Sequence, residues 1–178
     1  MLEFITDRNI YEKVIYERVP RAARFLWLAT ADLKDLYVDK HGQMVPFLEI
    51  LSDLVSKNVE IRLLHAKEPG PAFRRDFDKY PNLIKGMERI LCPRVHLKSV
   101  VIDGEFAYTG SANLTGAGMG AKSADKRNFE AGIITDDKAI IERIMDQIDQ
   151  IWRAEHCRGC KRKKFCADYK DLLLLGQT

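Results

Sequence analysis

One stretch of the sequence places a nucleophilic side chain close to groups that can neutralise negative charge. His96 and Lys98 stand two positions apart, and Ser111 and Asn113 repeat this spacing downstream. Residues two apart lie on the same face of a strand, so each pair is expected to point in one direction. An imidazole beside a cation and two neutral hydrogen-bonding groups can hold a phosphate through its non-bridging oxygens while a ring nitrogen attacks phosphorus.

Two acidic residues complete the candidate set. Glu130 begins a later strand-like run, and its carboxylate could accept a hydrogen bond from the second ring nitrogen of His96, which would fix the tautomer and free the other nitrogen. Asp103 stands in an Asp-Gly pair typical of a tight hairpin turn, so we expect it to be a turn former more than a chemical group. Lys98 and Asn113 would stabilise charge that grows in the transition state, and losing one such donor lowers a rate about 100- to 1,000-fold.

The spacing of these residues resembles the signature of the phospholipase D superfamily. That signature reads His-x-Lys, four residues, Asp, six or more residues and Gly-Ser/Gly-x-Asn, followed by a downstream glutamate segment. In this sequence it corresponds to His96, Lys98, Asp103, Gly110-Ser111, Asn113 and Asn128-x-Glu130. Each residue taken alone has an ordinary structural explanation, Ser111 most of all as a polar turn residue. So many fixed spacings together favour an active site.

The resemblance implies a fold, a mechanism and a set of roles. The fold would be α/β, a phospholipase D-like mixed β-sheet flanked by helices on both faces. One histidine would attack phosphorus to give a phosphohistidine, a second histidine would protonate the leaving group, and water would then release the product. No catalytic metal would be needed, and the catalytic set would be His96, Lys98, Asn113, Glu130, Asp103 and Ser111.

The sequence carries one complete signature. His41, His65 and His156 lack its other residues, and His65-Ala-Lys67 copies only the first three positions before a Pro/Gly-rich turn. A chain with one signature must take its second histidine from another copy. The resemblance therefore implies a twofold homodimer with both His96 side chains in one shared active site.

Four cysteines form a second pattern, one distant residue and three near the C-terminus: Cys92, Cys157, Cys160 and Cys166. Thiolates with such spacing can bind one metal centre. The pattern resembles the iron staple of RecB-type nucleases, which implies a structural 4Fe–4S cluster, although those enzymes have another fold. Zinc is the alternative, with His156 or His65 able to replace Cys92, and free thiols are the third interpretation.

The composition is that of an ordinary globular protein. The chain has 178 residues, of which 46% are hydrophobic and 31% charged, with a net charge of +3 and a pI near 8.6. No apolar run reaches the length of about 18 residues that would span a bilayer, and the segment Met1–Arg8 lacks the basic-then-apolar order of a signal peptide. We therefore expect a cytoplasmic protein whose cysteines do not form a disulfide framework.

Hydrophobic patterns predict alternating helices and strands, an order typical of an α/β fold. Helices are predicted at 8–19, 44–57, 72–79 and from 137 to about 155, and strands at 25–29, 59–64, 95–102, 105–110 and 129–135. The signature residues would lie on or beside the later strands. We expect one catalytic domain over 1–155 and a cysteine-containing extension over 156–178 that packs back onto it.

The sequence indicates the substrate less directly. The mild positive charge and a basic C-terminal cluster favour nucleic acid; the cluster comprises Arg158, Lys161, Arg162, Lys163 and Lys164. A nuclease that cleaves DNA or RNA is therefore the first hypothesis. A phospholipid-cleaving hydrolase is the alternative, which no basic amphipathic helix supports. The third hypothesis is a catalytically silent nucleic-acid-binding module, which would be expected to have lost one of the signature residues.

Overall fold

Nine β-strands build the part of the chain that a computed structural model describes, residues 1–34 and 36–169. They are β1 (Leu2–Thr6), β2 (Phe25–Thr30), β3 (Tyr37–Lys40), β4 (Gln43–Pro46), β5 (Glu60–His65), β6 (Met87–Leu91), β7 (Ser99–Ile102), β8 (Phe106–Gly110) and β9 (Ala131–Thr135). The α-helices are α1 (Arg8–Ile10), α2 (Phe47–Ser56), α3 (Pro71–Phe77), α4 (Asn82–Gly86) and α5 (Lys138–Trp152). A π-helix continues α1 over Tyr11–Tyr16, and 3₁₀ turns lie at Val19–Arg21 and Lys163–Phe165.

Seven of these strands form one mixed sheet in the order β1-β9-β8-β7-β2-β5-β6. β2, β5 and β6 are parallel neighbours, whereas the other neighbouring pairs in the sheet are antiparallel. Parallel neighbours need a crossover, and the connections contain α2 in the first case and α3 with α4 in the second. β3 and β4 form a separate hairpin.

Helices cover both faces of the sheet, as the alternation of side chains along a strand requires. On β7, Val100 belongs to the hydrophobic core that includes Leu51 of α2, whereas Val101 belongs to the core that includes Ile148 of α5. Full burial of such a side chain contributes about 1.5–3 kcal/mol to folding. The predicted fold class, a mixed sheet with helices on both faces, is confirmed.

The predicted hairpin between β7 and β8 is also confirmed. Asp103 and Gly104 have φ angles of 56° and 68°, and the Glu105 N–H donates to the Ile102 carbonyl at 3.0 Å. Positive φ at both central residues is typical of a type I′ turn, whose twist matches that of the flanking strands.

Two predicted helices have different bounds in the structure. The helix predicted at 44–57 begins only at Phe47, because the preceding residues form β4. The helix predicted at 8–19 is α-helical for one turn, becomes a π-helix and ends at Tyr16. Among residues 1–34 and 36–169, no helix is long and apolar enough to cross a membrane.

The strand predicted at 95–102 begins at Ser99. Its pairing with β2 and β8 starts at that residue, so 95–98 has no regular strand partner. His96 and Lys98 therefore precede β7 as part of an irregular segment, and the two-residue spacing of a strand does not govern their directions. Their contact has to be established from the side chains themselves.

Candidate active site

Four strand ends converge at one edge of the sheet. β2 and β8 end there, and their antiparallel neighbours β7 and β9 begin there, as the register pairs Ala29↔Ser99, Ser99↔Thr109 and Gly110↔Gly132 show. The segments that enter or leave these strands must therefore lie side by side. Five of the six predicted catalytic residues belong to those segments: His96, Lys98, Ser111, Asn113 and Glu130.

His96 and Lys98 are in direct contact at this edge. The side chain of His96 is exposed, whereas Lys98 is only 7% exposed. Lys98 Nζ lies 3.1 Å from His96 Nδ1 and donates a 2.8 Å hydrogen bond to the His96 carbonyl oxygen. An ammonium group has no lone pair, so Nδ1 of His96 can only be the acceptor in this contact.

The surroundings of the Lys98 ammonium act on its charge in two directions. Burial lowers the pKa of Lys98 because desolvation penalises the charged form, and the nearby Glu130 carboxylate acts against that shift. A partly desolvated cation interacts more strongly with an anionic ligand than an exposed lysine does. Lys98 is therefore placed to bind a phosphate oxygen beside the exposed imidazole.

Asn113 is oriented by the loop that follows β2. Its carboxamide oxygen accepts hydrogen bonds from the N–H groups of Ala31 and Asp32, each at 3.1 Å, and the Thr30 hydroxyl lies 3.3 Å from it. Within the described residues, the amide nitrogen of Asn113 donates no hydrogen bond. Because the oxygen is fixed by the loop, the NH₂ group remains as a donor for a ligand.

Glu130 has different partners from the one predicted. Its carboxylate accepts hydrogen bonds from Ser111 Oγ and, at 3.0 Å, from Asn128 Nδ2, while its own N–H donates to Asp7 Oδ1 at 2.9 Å. The predicted hydrogen bond from His96 is absent among the described residues, since Nδ1 of that ring faces the neighbouring ammonium. In this arrangement Glu130 orients Ser111 and does not set the imidazole tautomer.

Thr30 is a positioning residue that the sequence did not reveal. Its side chain is fully buried, and its hydroxyl donates to the Asp32 carbonyl at 2.7 Å and accepts from the Leu114 N–H at 3.0 Å. These bonds tie the end of β2 to the segment that carries Asn113. The sequence signal is slight, a polar residue that closes the apolar run 25–29.

Comparison with known protein families shows which family this chain belongs to. The family model described as "Cardiolipin synthase, PLD-like domain" matches residues 16–152, well over half of the chain. The chain belongs to the phospholipase D-like family. Membership supports phosphodiester hydrolysis as its kind of reaction. No curated protein matches the sequence.

Solved structures share the phospholipase D-like fold with this chain. NucT from Helicobacter pylori has a TM-score of 0.60 at 15% identity, covering 84% of this chain and 95% of that one. Nuc from Salmonella typhimurium, a phospholipase D family member, has a TM-score of 0.63 at 12% identity, covering 85% and 93%. TrmBL2, an archaeal chromatin protein, has a TM-score of 0.56 at 15% identity, covering 85% of this chain and 52% of that one. These likenesses show the fold.

Asp103, the sixth residue of the predicted catalytic set, lies away from the site of this phospholipase D-like protein. It follows β7, at the end opposite to His96. Its carboxylate accepts hydrogen bonds from three consecutive N–H groups, those of Ala23, Arg24 and Phe25, at 2.8–2.9 Å. Burial tends to raise the pKa of Asp103, but these donors and the Arg24 charge together lower it. These contacts agree with the expectation that Asp103 is a turn former, and they correct its place in the predicted catalytic set.

The other histidines do not add an exposed imidazole at the four strand ends of the described chain. His41 lies in the turn of the β3–β4 hairpin with a φ of 56°. His65 ends β5 next to Thr30 but is 1% exposed, and its Nδ1 lies 2.7 Å from the Lys67 carbonyl. His156 lies in the C-terminal segment that follows α5. Among residues 1–34 and 36–169, no second imidazole is exposed beside His96.

The four cysteines lie together beside the end of β6, and Cys92 belongs to the segment that also carries His96. All are half-buried free thiols, and all line one cavity of about 250 Å³. Burial raises the pKa of the Cys157 and Cys166 thiols, and the neighbouring thiols raise it further. Among residues 1–34 and 36–169, no group of three or more His, Cys, Asp or Glu side chains is arranged to hold a metal ion.

The C-terminal segment contacts the end of β6. Asp168 Oδ2 accepts a 2.6 Å hydrogen bond from the Leu91 N–H, and the Cys166 thiol lies 3.4 Å from the Leu91 carbonyl oxygen. Both backbone groups of this residue on an edge strand are thereby paired. Residues 170–178 of the predicted extension lie outside the described residues.

Proposed function

We propose that this chain is a phosphodiesterase, most specifically a nuclease, in which His96 is the nucleophile. The observation that carries the proposal is the contact of an exposed imidazole with the buried Lys98 ammonium, beside an Asn113 amide whose oxygen is already fixed by the backbone. A phosphate at this edge would meet a nucleophile, a cation and a neutral donor. Such preorganised donors act on the charge of the transition state.

The reaction would proceed in two displacements. In the first, a ring nitrogen of His96 forms a bond to phosphorus, the bond between phosphorus and the leaving oxygen breaks, and a second imidazole gives that oxygen a proton. In the second, the same imidazole takes a proton from water, the water oxygen binds phosphorus, and the bond from phosphorus to His96 breaks. Each step is a transfer with a positioned acid or base.

Lys98 connects binding to activation in this scheme. Lys98 Nζ contacts His96 Nδ1 in the structure. A bound phosphate oxygen is charged and would therefore be a stronger hydrogen-bond acceptor for Nζ than this ring nitrogen. Movement of the ammonium onto phosphate would release Nδ1. The imidazole would then be free to present an unprotonated nitrogen to phosphorus.

A second copy of the chain would supply the second imidazole. The described residues bring no other exposed histidine to the site, and two large apolar side chains on that side of the sheet are exposed to solvent. Phe129, next to Glu130, is 97% exposed, and Phe4 on the edge strand β1, which pairs with Ile133 of β9, is 70% exposed. Such side chains favour a protein interface. We therefore assign them to a twofold contact that brings the two His96 residues together.

Nucleic acid is the substrate class that the surface charge favours. The loop between Cys160 and Cys166 contains four exposed basic residues and Phe165, which is 57% exposed. The Lys164 ammonium lies 4.8 Å and the Arg162 guanidinium carbon 5.5 Å from the centroid of the Phe165 ring. Cations that neutralise phosphates and an aromatic ring on which a base can stack are the elements of single-strand binding.

Phospholipid cleavage is the second candidate, because the matching family model carries the name of cardiolipin synthase. A panel of possible substrates distinguishes a nuclease from a phospholipid hydrolase. Single- and double-stranded DNA, RNA and phospholipid vesicles would each be incubated with wild type, His96→Asn and the control His41→Asn, which changes an exposed histidine in the β3–β4 turn.

We expect wild type and His41→Asn to cleave nucleic acid in the presence of EDTA, and His96→Asn to lose at least 1,000-fold of that rate, about the effect of removing a catalytic nucleophile. Cleavage of phospholipid alone would replace the nuclease assignment with the second candidate. Nucleic-acid binding by a folded wild-type protein without any turnover would contradict both, and would favour a silent binding module such as the chromatin-protein neighbour suggests.

A further inference from the structure

We infer that Cys92, Cys157, Cys160 and Cys166 bind a structural iron–sulfur cluster. All four thiols line a single cavity of about 250 Å³, although Cys92 is separated from the others by more than sixty positions in the sequence. The proposed nuclease chemistry makes no use of them. Four thiolates are the ligand set of a 4Fe–4S cluster.

The fold brings the thiols together through contacts that involve no metal. Cys92 directly follows β6, and its N–H donates to the His65 carbonyl at 2.8 Å. The C-terminal segment returns to the same place through the 2.6 Å hydrogen bond that Asp168 Oδ2 accepts from the Leu91 N–H. These two hydrogen bonds therefore hold both parts of the ligand set in position without using a thiol.

The size of the cavity favours a cluster over a single ion. Zinc binds thiolates at about 2.3 Å, so the sulfurs around one ion must lie within about 4 Å of one another. The four thiols line a cavity of about 250 Å³, which is larger than the space that one ion occupies. A cavity of this size with four cysteines in its lining suits a ligand of several atoms.

The lining of the cavity fits an anionic, partly buried centre. Ile151 of α5 and Tyr169 contribute apolar surface, and Arg94 also lines the cavity. Four thiolates around an iron–sulfur core leave a net negative charge, which a guanidinium at the wall offsets. Half-burial of the cysteines would shield the cluster from solvent without enclosing it.

From its location, the cluster would stabilise two segments of the chain. Cys92 precedes His96 in the segment between β6 and β7, so the cluster would fix the approach to the nucleophile. Cys160 and Cys166 bracket the basic loop with Phe165, so the same cluster would hold that loop against the domain. One centre would thus position both the catalytic segment and the proposed nucleic-acid contact.

The test is the metal content of the full chain, which can be read without any substrate. Protein purified without oxygen would be assayed for iron, acid-labile sulfide and zinc, and its visible absorption spectrum recorded. Wild type is expected to contain about four iron and four sulfide per chain, with a broad visible absorption that dithionite bleaches. Cys92→Ser and Cys160→Ser should lower the iron content several-fold, whereas Lys163→Ala on the same loop and His96→Asn should retain it.

Two results would overturn the inference. Protein with about one zinc per chain and no iron would show a single-ion site, and folded wild type with neither metal, also after anaerobic incubation with ferrous iron and sulfide, would show free thiols. The iron, sulfide and zinc content of wild type can be measured whether or not the variants fold. Aggregation of a cysteine variant therefore does not affect this test. The protein can contain the cluster without cleaving a substrate through His96, and it can cleave a substrate without containing the cluster. This test is therefore separate from that of the proposed function.

Discussion

The ammonium of Lys98 is the group in the site whose pKa is shifted by its surroundings. Its pKa is lowered by burial, with the Glu130 carboxylate opposing the shift. The cation is lost as the pH rises through this lowered pKa, below the usual lysine value of about 10.4. We expect the rate of cleavage to fall on the alkaline side at a lower pH than an exposed lysine would give.

Two variants of Lys98 check this prediction. Lys98→Ala should lower kcat about 100- to 1,000-fold through loss of a donor to the transition state. Lys98→Arg should move the alkaline fall of the pH–rate profile upward, because a guanidinium stays protonated across the accessible range. An unchanged profile in Lys98→Arg would show that another group causes the alkaline fall.

The Thr30 hydroxyl offers a second test at the scale of single residues. Thr30→Val leaves the buried Leu114 N–H without its acceptor, which costs about 1–3 kcal/mol of unfolding free energy. It also loosens Asn113, so kcat should fall while KM changes less. Thr135→Val is the matched control, because this hydroxyl is equally buried but bonds the Met1 carbonyl at the opposite end of β9.

That control separates positioning from stability. Both threonine variants should show a lower free energy of unfolding in urea titrations, and only Thr30→Val should show a lower kcat. Equal kcat values for the two folded variants would refute a positioning role for Thr30.

Spacing along the chain predicted some site residues and missed the bonds between others. His96, Lys98 and Asn113 follow from a short signature, because local spacing survives folding. The hydrogen bonds of Thr30 with Leu114 and of Glu130 with Ser111 join residues from separate strands. A single sequence does not contain that pairing information, so the partner predicted for Glu130 was wrong.

At the scale of elements, Asp103 connects the β7–β8 turn to the start of β2. Its carboxylate accepts three backbone N–H groups, so Asp103→Ala should lower the free energy of unfolding by about 2–4 kcal/mol. Asp103→Asn keeps one oxygen acceptor and tolerates the positive φ, so its loss should be smaller. Urea titration measures both, and the kcat of either folded variant should stay close to that of wild type.

The pH dependence of this contribution has a definite sign. Because the fold lowers the pKa of Asp103, its charged form stabilises the protein above the ordinary aspartate value of about 3.9, and that stability is lost as the pH falls through the lowered pKa. Wild type should therefore lose stability below about pH 4 more steeply than Asp103→Asn. A parallel decline in the two proteins would mean that other carboxyl groups dominate.

Long periodic elements were predictable, and edge elements were not. The apolar run of β2, the Asp-Gly turn and the α5 cap, where Asp137 accepts from the Ala139 and Ile140 N–H groups, all follow from local chemistry. β1 and β6 are the two edges of the sheet. Their short segments become strands because β9 and β5 offer unpaired backbone groups, which is a property of the assembled sheet.

At the scale of the whole molecule, the proposed mechanism requires two chains. Each copy would bury Phe129 in the contact, a contribution of about 1.5–3 kcal/mol that the twofold axis doubles. Phe129→Ser should therefore weaken the dimer by at least about 100-fold and reduce cleavage in proportion to the dissociated fraction. Sedimentation velocity over a concentration series measures the first effect.

Phe165→Ser is the control for this surface. It removes an exposed aromatic residue from the basic loop, so it should weaken nucleic-acid binding and leave the dimer intact. A wild-type protein that cleaves as a monomer would contradict the shared site.

In the sequence, only the missing second signature indicates the proposed dimer, because contacts between two copies would leave no periodic pattern in one chain. The cysteines illustrate the same limit within one chain. Their spacing indicated a common centre, whereas their shared cavity depends on the hydrogen bonds that return the C-terminal segment to Leu91.

The most direct measurement is the covalent intermediate itself. Protein would be mixed with an excess of the best substrate, quenched in alkali, where a phosphorus–nitrogen bond to histidine survives, and mapped by mass spectrometry. The proposed mechanism predicts a substrate fragment joined through phosphorus to His96 in wild type and no adduct in His96→Asn. Turnover with the adduct on another residue, or turnover that needs a divalent metal and forms no adduct, would contradict it.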